Sequence, residues 1–422
     1  MKKKKIIILG AGFAGVRAAL NLAKQKPNLR HHEIILIDKR DVHMYTPDLY
    51  EIATSFNSDI TEACLTKLSD TVALPIGKII GHKSTTFLQD KVIGLHPKSK
   101  TITLKKSGKL KYDIMVLALG SVVNHYDIPG LQQFSYPLKT VKQAVVIHCH
   151  LDQYFQVLWK KKIKEEVNIV VGGGGATGVE FAGQLPAALR KICKKYRYPK
   201  GRVNVTLLQG SDELIGVGKV FSKKIEKRLK NAGIKVKMKT FIVKAEAGKV
   251  TIKPPKGRRH SIPCDMLIWA GGVKPHPLLL REELPCNDNG SVNVDSFLRA
   301  TKFEDVFAAG DMAAFVDPVT QRPAPWLAQV AFDQGAVLAK NITATIRKQP
   351  LSPYKLRIKG VIIPVAGRYA IFKSSGGKLI LGGPHFWALR RLIDLYYALS
   401  VLPFWYAFKK WWHANNIYME ND

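Results

Sequence analysis

Three glycines, Gly10, Gly12 and Gly15, follow the apolar run in "IIILGAGFAG" (6–15), and a second apolar run, "EIILID", ends at Asp38, 23 residues past Gly15. Glycines so spaced permit a tight turn and let a pyrophosphate approach a helix N-terminus, and the acid accepts from a ribose hydroxyl. The chemistry is dinucleotide binding. The pattern recurs in "NIVVGGGGATGVEFAG" (168–183), where Gly173, Gly175 and Gly178 precede the strand "VNVTLLQ" (203–209). That strand ends in neutral Gln209, where an acid would hold both adenosine ribose hydroxyls and repel a 2′-phosphate, so NADPH joins NADH as a candidate. Glu180, two positions past Gly178, lies near a helix start, where a carboxylate suits the helix dipole.

Each glycine motif requires a strand before it and a helix after it. The two copies also close on similar segments, "YDIMVLALG" (112–120) and "CDMLIWAGG" (264–272), so whole domains are repeated, one inserted in the other. The chain then returns in "EDVFAAGDMA" (304–313), an apolar strand ending at Gly310 and Asp311. The expected fold is α/β, with two Rossmann-like domains. Expected bounds are 1–124 with 297–350 for the first domain, 125–296 for the insert and 351–422 for a C-terminal region.

The 422 residues carry 66 Lys and Arg against 32 Asp and Glu, a formal charge of +34, which predicts attraction to an anionic surface or ligand. Basic pieces such as "KPPKGRR" (253–259) lack interleaved aromatics, and no nucleic-acid partner is expected. Five widely spaced cysteines without a CxxC indicate neither a disulfide framework nor a zinc module, and "HCH" (148–150) is poorly spaced for ligation, so no metal is expected. The start, "MKKKKIIILGAGFAG", reads as a first strand rather than a signal peptide. No run of eighteen apolar residues occurs; the nearest approach, 392–408, contains Asp394 and Pro403.

Both glycine motifs, "YTPDLYEIAT" (45–54), "GVEFAG" (178–183), "IWAGGVKP" (268–275), "AAGD" (308–311), "WLAQVAFDQG" (326–335) and the aromatic tail together resemble the type II NADH:quinone oxidoreductases, within the two-dinucleotide flavoproteins. The resemblance extends over essentially the whole chain. It implies FAD on the split domain, NADH on the insert and a quinone as acceptor, without proton pumping. It also implies flavin contacts at Thr46, Pro47, Gly310 and Asp311, and places Glu180 beside nicotinamide and flavin. The family carries two Gln residues four apart facing the quinone headgroup. Here they are Gln329 and Asp333, which share a helix face, with Gln334 expected to turn away. A buried Asp333 could donate a proton to reduced quinone.

Residues 385–412 mix Trp, Tyr, Leu and Phe with Arg390, Arg391, Lys409 and Lys410, interrupted at Pro403. Two amphipathic helices lying on an anionic membrane surface are expected, with the cations meeting lipid; a docked helix pair or a homodimer interface is the alternative. The resemblance then implies a peripheral enzyme on the cytoplasmic side of the cell inner membrane. Two rival readings remain. A sulfide:quinone oxidoreductase requires cysteines flanking the flavin, and none lies in a segment assigned to it. A flavin-bearing binding protein for an acidic partner would suit the charge.

Overall fold

The computed structural model describes residues 3–56, 62–81, 84–277 and 284–421. Strand β1 (Lys4–Leu9) pairs in parallel with β2 (His32–Asp38), and β2 with β3 (Thr85–Gln89); β4 (Ile114–Leu117) lies on the other side of β1. Ile6 to Leu9 are fully buried, because helices and loops cover both faces of a parallel sheet. Helix α1 (Phe13–Lys24) returns the chain from β1 to β2, and the short α2 (Leu49–Ala53) follows β2.

After β4 the chain crosses to a second parallel sheet along Ser121–Val123, which pairs antiparallel with the returning Val273–Pro275. That sheet contains β5 (Tyr136–Pro137), β6 (Val167–Gly172), β7 (Val203–Leu208), β8 (Ile234–Lys237) and β9 (Met266–Trp269), in the order β5-β9-β6-β7-β8. Helix α3 (Val141–Lys160) begins at a capping box in which Thr140 and Gln143 satisfy each other's backbone N–H groups. Helix α4 (Ala176–Lys195) follows the second glycine loop as α1 follows the first. Strand β10 (Val306–Ala308) then joins the first sheet beside β4, giving the order β10-β4-β1-β2-β3. The return begins before residue 297. Leu284 and Val292 already pack with Ile7, Leu9 and Met115, a long-range contact that no local pattern announces.

Helix α5 (Ala328–Ile346) lies against α1 at close range. A Cβ on Gly335 would stand 2.3 Å from the Ala14 carbonyl oxygen, so only glycine fits there. A three-stranded antiparallel meander of β11 (Gly360–Pro364), β12 (Ala370–Ser374) and β13 (Ile380–Gly383) follows and touches α4 at Gly183. Helices α6 (Pro384–Val401) and α7 (Phe404–Asn421) complete the described chain. No helix among the described residues is long and apolar enough to cross a membrane.

Helix α6 is amphipathic in the opposite sense from a soluble helix. Arg390, Arg391 and Asp394 are buried, while Leu392, Ile393, Tyr396 and Leu399 face outward. On α7, Phe404, Trp405, Phe408 and Trp412 are also exposed, Trp405 at 78%. The expectation that Arg390 and Arg391 meet lipid is therefore corrected. Buried carboxylates from residues 48–51 draw both guanidinium groups inward.

Candidate active site

The two glycine loops are closed in the same way from the ends of β2 and β7. One Asp38 carboxylate oxygen accepts from Ala11 N at 2.8 Å and the other from Arg40 N at 3.0 Å. Gln209 occupies the equivalent place, its amide oxygen accepting from Gly174 N at 2.9 Å and its NH2 donating to Ser211 Oγ at 2.6 Å and Glu213 O at 2.8 Å. Gly10 and Gly173 have φ of +101° and +107°, the left-handed side that favours glycine. A Cβ on Gly15 or Gly178 would stand 1.9 Å from the carbonyl oxygen of Gly10 or Gly173, so helix and loop touch there in both copies. Gly12 and Gly175 are different: a Cβ on Gly175 would meet nothing within 4 Å, and one on Gly12 only Ala118 O at an ordinary 3.9 Å. Both are N-cap residues without a side-chain cap, so the first-turn N–H groups of α1 and α4 remain available to an anion.

The first loop opens onto a cavity of about 380 Å³, lined by Gly12, Asp38, Thr46, Lys139, Asp311 and Ala328 among others. Pro47, beside Thr46, starts a short 3-10 turn and does not line it. Gly310, at φ +64°, turns the chain beyond β10, and Ser121 Oγ donates to the Asp311 carboxylate. Lys139 Nζ lies 3.9 Å from that carboxylate; burial lowers its pKa and Asp311 opposes the shift. The N-terminus of α5, also without a side-chain cap, points Ala328 at the cavity.

Helix α5 sets Gln329 and Asp333 on one face and Gln334 on another, as their spacing predicts. Gln334 is the buried residue, accepting from Gly310 N at 2.7 Å, because close packing of Gly335 on α1 turns this side inward. Gln329 instead ties the helix to the start of β11, donating to Gly360 O at 3.2 Å and accepting from Lys359 N at 3.1 Å. Asp333 is half-buried on that face and acts electrostatically on Tyr354. Neither Gln329 nor Asp333 lines the cavity, whereas Ala328 and Ala331 do.

Glu180 on α4 is buried, and that burial pushes its carboxyl up to about 8, with Arg390 and Arg391 opposing and Asp48 and Glu51 adding to the rise. These four charged neighbours form one cluster. Arg390 donates to Asp48 at 3.0 Å and pairs with Asp394; Arg391 donates to Glu51 at 3.1 Å and to Tyr50 OH at 3.0 Å. Tyr45 OH donates to Asp394 at 2.6 Å. Nearby, His43 is fully buried with Nδ1 at 2.8 Å from Ala11 O, so Nδ1 carries the proton and Nε2 accepts from Tyr397 OH at 2.7 Å. Burial takes His43 down to about 4, which keeps it neutral at ordinary pH. Phe13 and Phe332 pack on the Tyr397 ring at centroid distances of 5.1 and 5.5 Å.

Sequence reasoning missed His43, Lys139, the bond of Gln334 to Gly310 N and the inward roles of Arg390, Arg391 and Tyr397. Lys139 carries no local signal in so basic a chain. The Arg-Arg-x-x-Asp spacing of 390–394, with acids at 48 and 51, was the available hint of ion pairing. No metal-binding cluster occurs among the described residues.

Residues 4–335 match the model of the pyridine nucleotide-disulphide oxidoreductases. Among curated proteins, the chain is 26% identical to a type II NADH:quinone oxidoreductase of Staphylococcus saprophyticus over 85% of this chain and 87% of that one. A Staphylococcus aureus protein of the same name is 25% identical over 88% and 93%. Among solved structures, NDH2 from Plasmodium falciparum in complex with NADH superposes with a TM-score of 0.84 at 17% identity, covering 99% of this chain and 98% of that one. The sulfide:quinone oxidoreductase of Aquifex aeolicus gives 0.77 at 19% identity, covering 94% and 91%. At these identities the solved structures establish a shared fold.

Proposed function

Because this chain belongs to the pyridine nucleotide-disulphide oxidoreductase family, we propose that it oxidises NADH and reduces a membrane quinone by two electrons, without pumping protons, with FAD in the first domain and NADH on the insert. The observation that carries this reading is the duplicated nucleotide cradle, with a cavity of about 380 Å³ at the first copy. Its residues fit FAD. An uncapped helix N-terminus suits pyrophosphate, Asp38 suits a ribose, Asp311 suits the ribityl chain, and the N-terminus of α5 suits the electron-rich pyrimidine edge of the flavin. A flavin held there would supply hydride acceptance from NADH and two-electron transfer to the quinone.

This chain's own contribution is orientation and charge. Gly175 leaves the α4 N-terminus bare for the NADH pyrophosphate, and Glu180, one turn farther along the same helix, holds a carboxyl whose protonation changes near neutral pH. Thr46 and Ala328, at the α5 N-terminus, both line the cavity that would hold the flavin. No cysteine lines that cavity among the described residues, which favours quinone reduction over sulfide chemistry.

Outward apolar side chains of α6 and α7 suit a lipid surface. Trp405 and Trp412, with exposed Lys409 between them, match a headgroup boundary on the cytoplasmic side of the cell inner membrane. The test uses detergent-purified protein: the flavin spectrum, its bleaching by NADH without oxygen, and recovery of the colour on adding a short-chain quinone. Failure to bleach, or bleaching without recovery, would overturn the proposal.

A further inference from the structure

Beside the second glycine loop stands a phenyl ring that the core does not use. Phe241 opens the strand Phe241–Glu246 and is 56% exposed, whereas its neighbours Thr240 and Ile242 are buried. Two backbone hydrogen bonds fix this segment against the corner where β7 ends: Thr240 N donates to Gln209 O and Lys239 N to Ser211 O, each at 2.9 Å. The ring itself lies over Gly210. A Cβ built on Gly210 would stand 2.6 Å from Cε1 and 2.9 Å from Cδ1 of Phe241, so the bare glycine gives the ring its seat. Gln209, next to that glycine, accepts from Gly174 N at 2.9 Å. Ring, strand end and glycine loop are thus contiguous.

A dinucleotide whose pyrophosphate lies at the α4 N-terminus carries its adenosine toward the end of the second strand, which here is Gln209. Both N–H donors of that side chain are engaged within the loop, by Ser211 Oγ and Glu213 O, and its oxygen already accepts from Gly174 N. Gln209 is therefore a weaker clamp on a ribose than a carboxylate, and much of the hold on adenosine must come from elsewhere. Adenine is a flat aromatic ring, and an exposed phenyl at this corner offers it a face on which to stack. We propose that Phe241 is the adenine platform of the second cradle: it stacks the base of NADH and makes the site select the whole dinucleotide over its nicotinamide half. The inference rests on the reading that places NADH on the insert. A surface phenyl without this role would be interchangeable with leucine, and Gly210 with alanine.

The test is calorimetric titration of the FAD-loaded protein with ADP-ribose, which carries the adenosine and pyrophosphate of NADH but no nicotinamide. Phe241→Ala should weaken ADP-ribose binding about tenfold, Phe241→Leu nearly as much, and Phe241→Tyr, which keeps the ring, should bind as the parent does. Gly210→Ala displaces the ring from its seat and should weaken binding in the same direction, with no further loss when it is combined with Phe241→Ala. In anaerobic stopped-flow, Phe241→Ala should raise the half-saturating NADH concentration by a similar factor, while its flavin reduction by reduced nicotinamide mononucleotide, which lacks adenine, follows the parent. Parent-like ADP-ribose binding by Phe241→Ala or Phe241→Leu, or an equal loss with the mononucleotide, would overturn the inference and leave NADH on the insert. A parent protein that binds no ADP-ribose would overturn that placement, and the inference with it.

Discussion

Gly175→Val separates ligand space from packing space, and the duplicated loops make its control available in the same molecule. No atom lies within 4 Å of a Cβ built on Gly175, and for Gly12 the nearest is Ala118 O at 3.9 Å. At Gly178 the corresponding Cβ falls 1.9 Å from Gly173 O, whereas a carbon and a carbonyl oxygen settle at about 3.3 Å, so α4 must retreat by roughly 1.4 Å. Gly178→Ala should therefore cost about 1–3 kcal/mol of stability as overpacking, while Gly175→Val should fall within about 0.5 kcal/mol of the parent. The valine would nevertheless occupy the approach to the bare α4 N-terminus. Losing one or two charge-assisted hydrogen bonds of about 1.5–3 kcal/mol each weakens NADH binding by roughly tenfold at the least, and by more than about 100-fold for two. The measurements are the melting temperature, flavin absorbance after desalting and anaerobic bleaching by NADH. Gly175→Val should be a stable yellow protein that NADH does not bleach, and Gly12→Val a stable colourless one. If Gly175→Val loses flavin, or binds NADH as the parent does, the assignment of the two cradles is wrong.

Truncation before Pro384 removes Arg390 and Arg391 together with the helices that cover Asp48 and Glu51, so the segment at 48–51 loses both its ion pairs and its cover and the protein should lose stability and flavin; soluble, flavin-loaded truncated protein that reduces a short-chain quinone normally would contradict this. Phe404→Ser with Trp405→Ser changes only exposed side chains, so flavin content should hold while sedimentation with anionic liposomes at physiological salt falls severalfold; unchanged sedimentation would move lipid contact elsewhere. Glu180 titrates at about 8 in the fold against roughly 4.3 unfolded, so its contribution to stability is complete below the unfolded value and is lost as pH rises toward 8. Glu180→Gln should consequently gain melting temperature over the parent between pH 5 and 8, and a constant difference across that range would refute the burial argument. Gln209→Glu would set a carboxylate against the Glu213 carbonyl oxygen and any 2′-phosphate, so the NADPH-to-NADH oxidation ratio should drop by about tenfold; an equal ratio in parent and variant would show that selection lies elsewhere.

The loops were legible because their constraint is local. Gly10 and Gly173 need positive φ, Gly15 and Gly178 need contact with their own turns, and the runs before them are buried on both faces. Asp38 was legible as the end of a strand, though its bond to Ala11 N shows that it also closes the loop. On α5 the shared face of Gln329 and Asp333, with Gln334 on another, was legible from spacing, but what each face meets was not, since Gly335 settles that through contact with Ala14 of α1, far away in sequence. Arg390 and Arg391 misled for a related reason. Beside aromatic residues, cations read as a lipid-facing pattern, and only their distant acids reveal that they turn inward.

The separation within that ion cluster has a consequence for how the molecule is made. Asp48 and Arg390 are 342 residues apart, so at about 5–20 residues per second the acid leaves the ribosome roughly 20–70 s before its partner. During that interval the hydrated state of Asp48 and Glu51 is favoured over the buried one, and the segment carrying Thr46 has no completed wall to dock against. Docking of the final helices thus closes the longest loop in the fold, and synthesis order makes the flavin cavity one of the last features to mature.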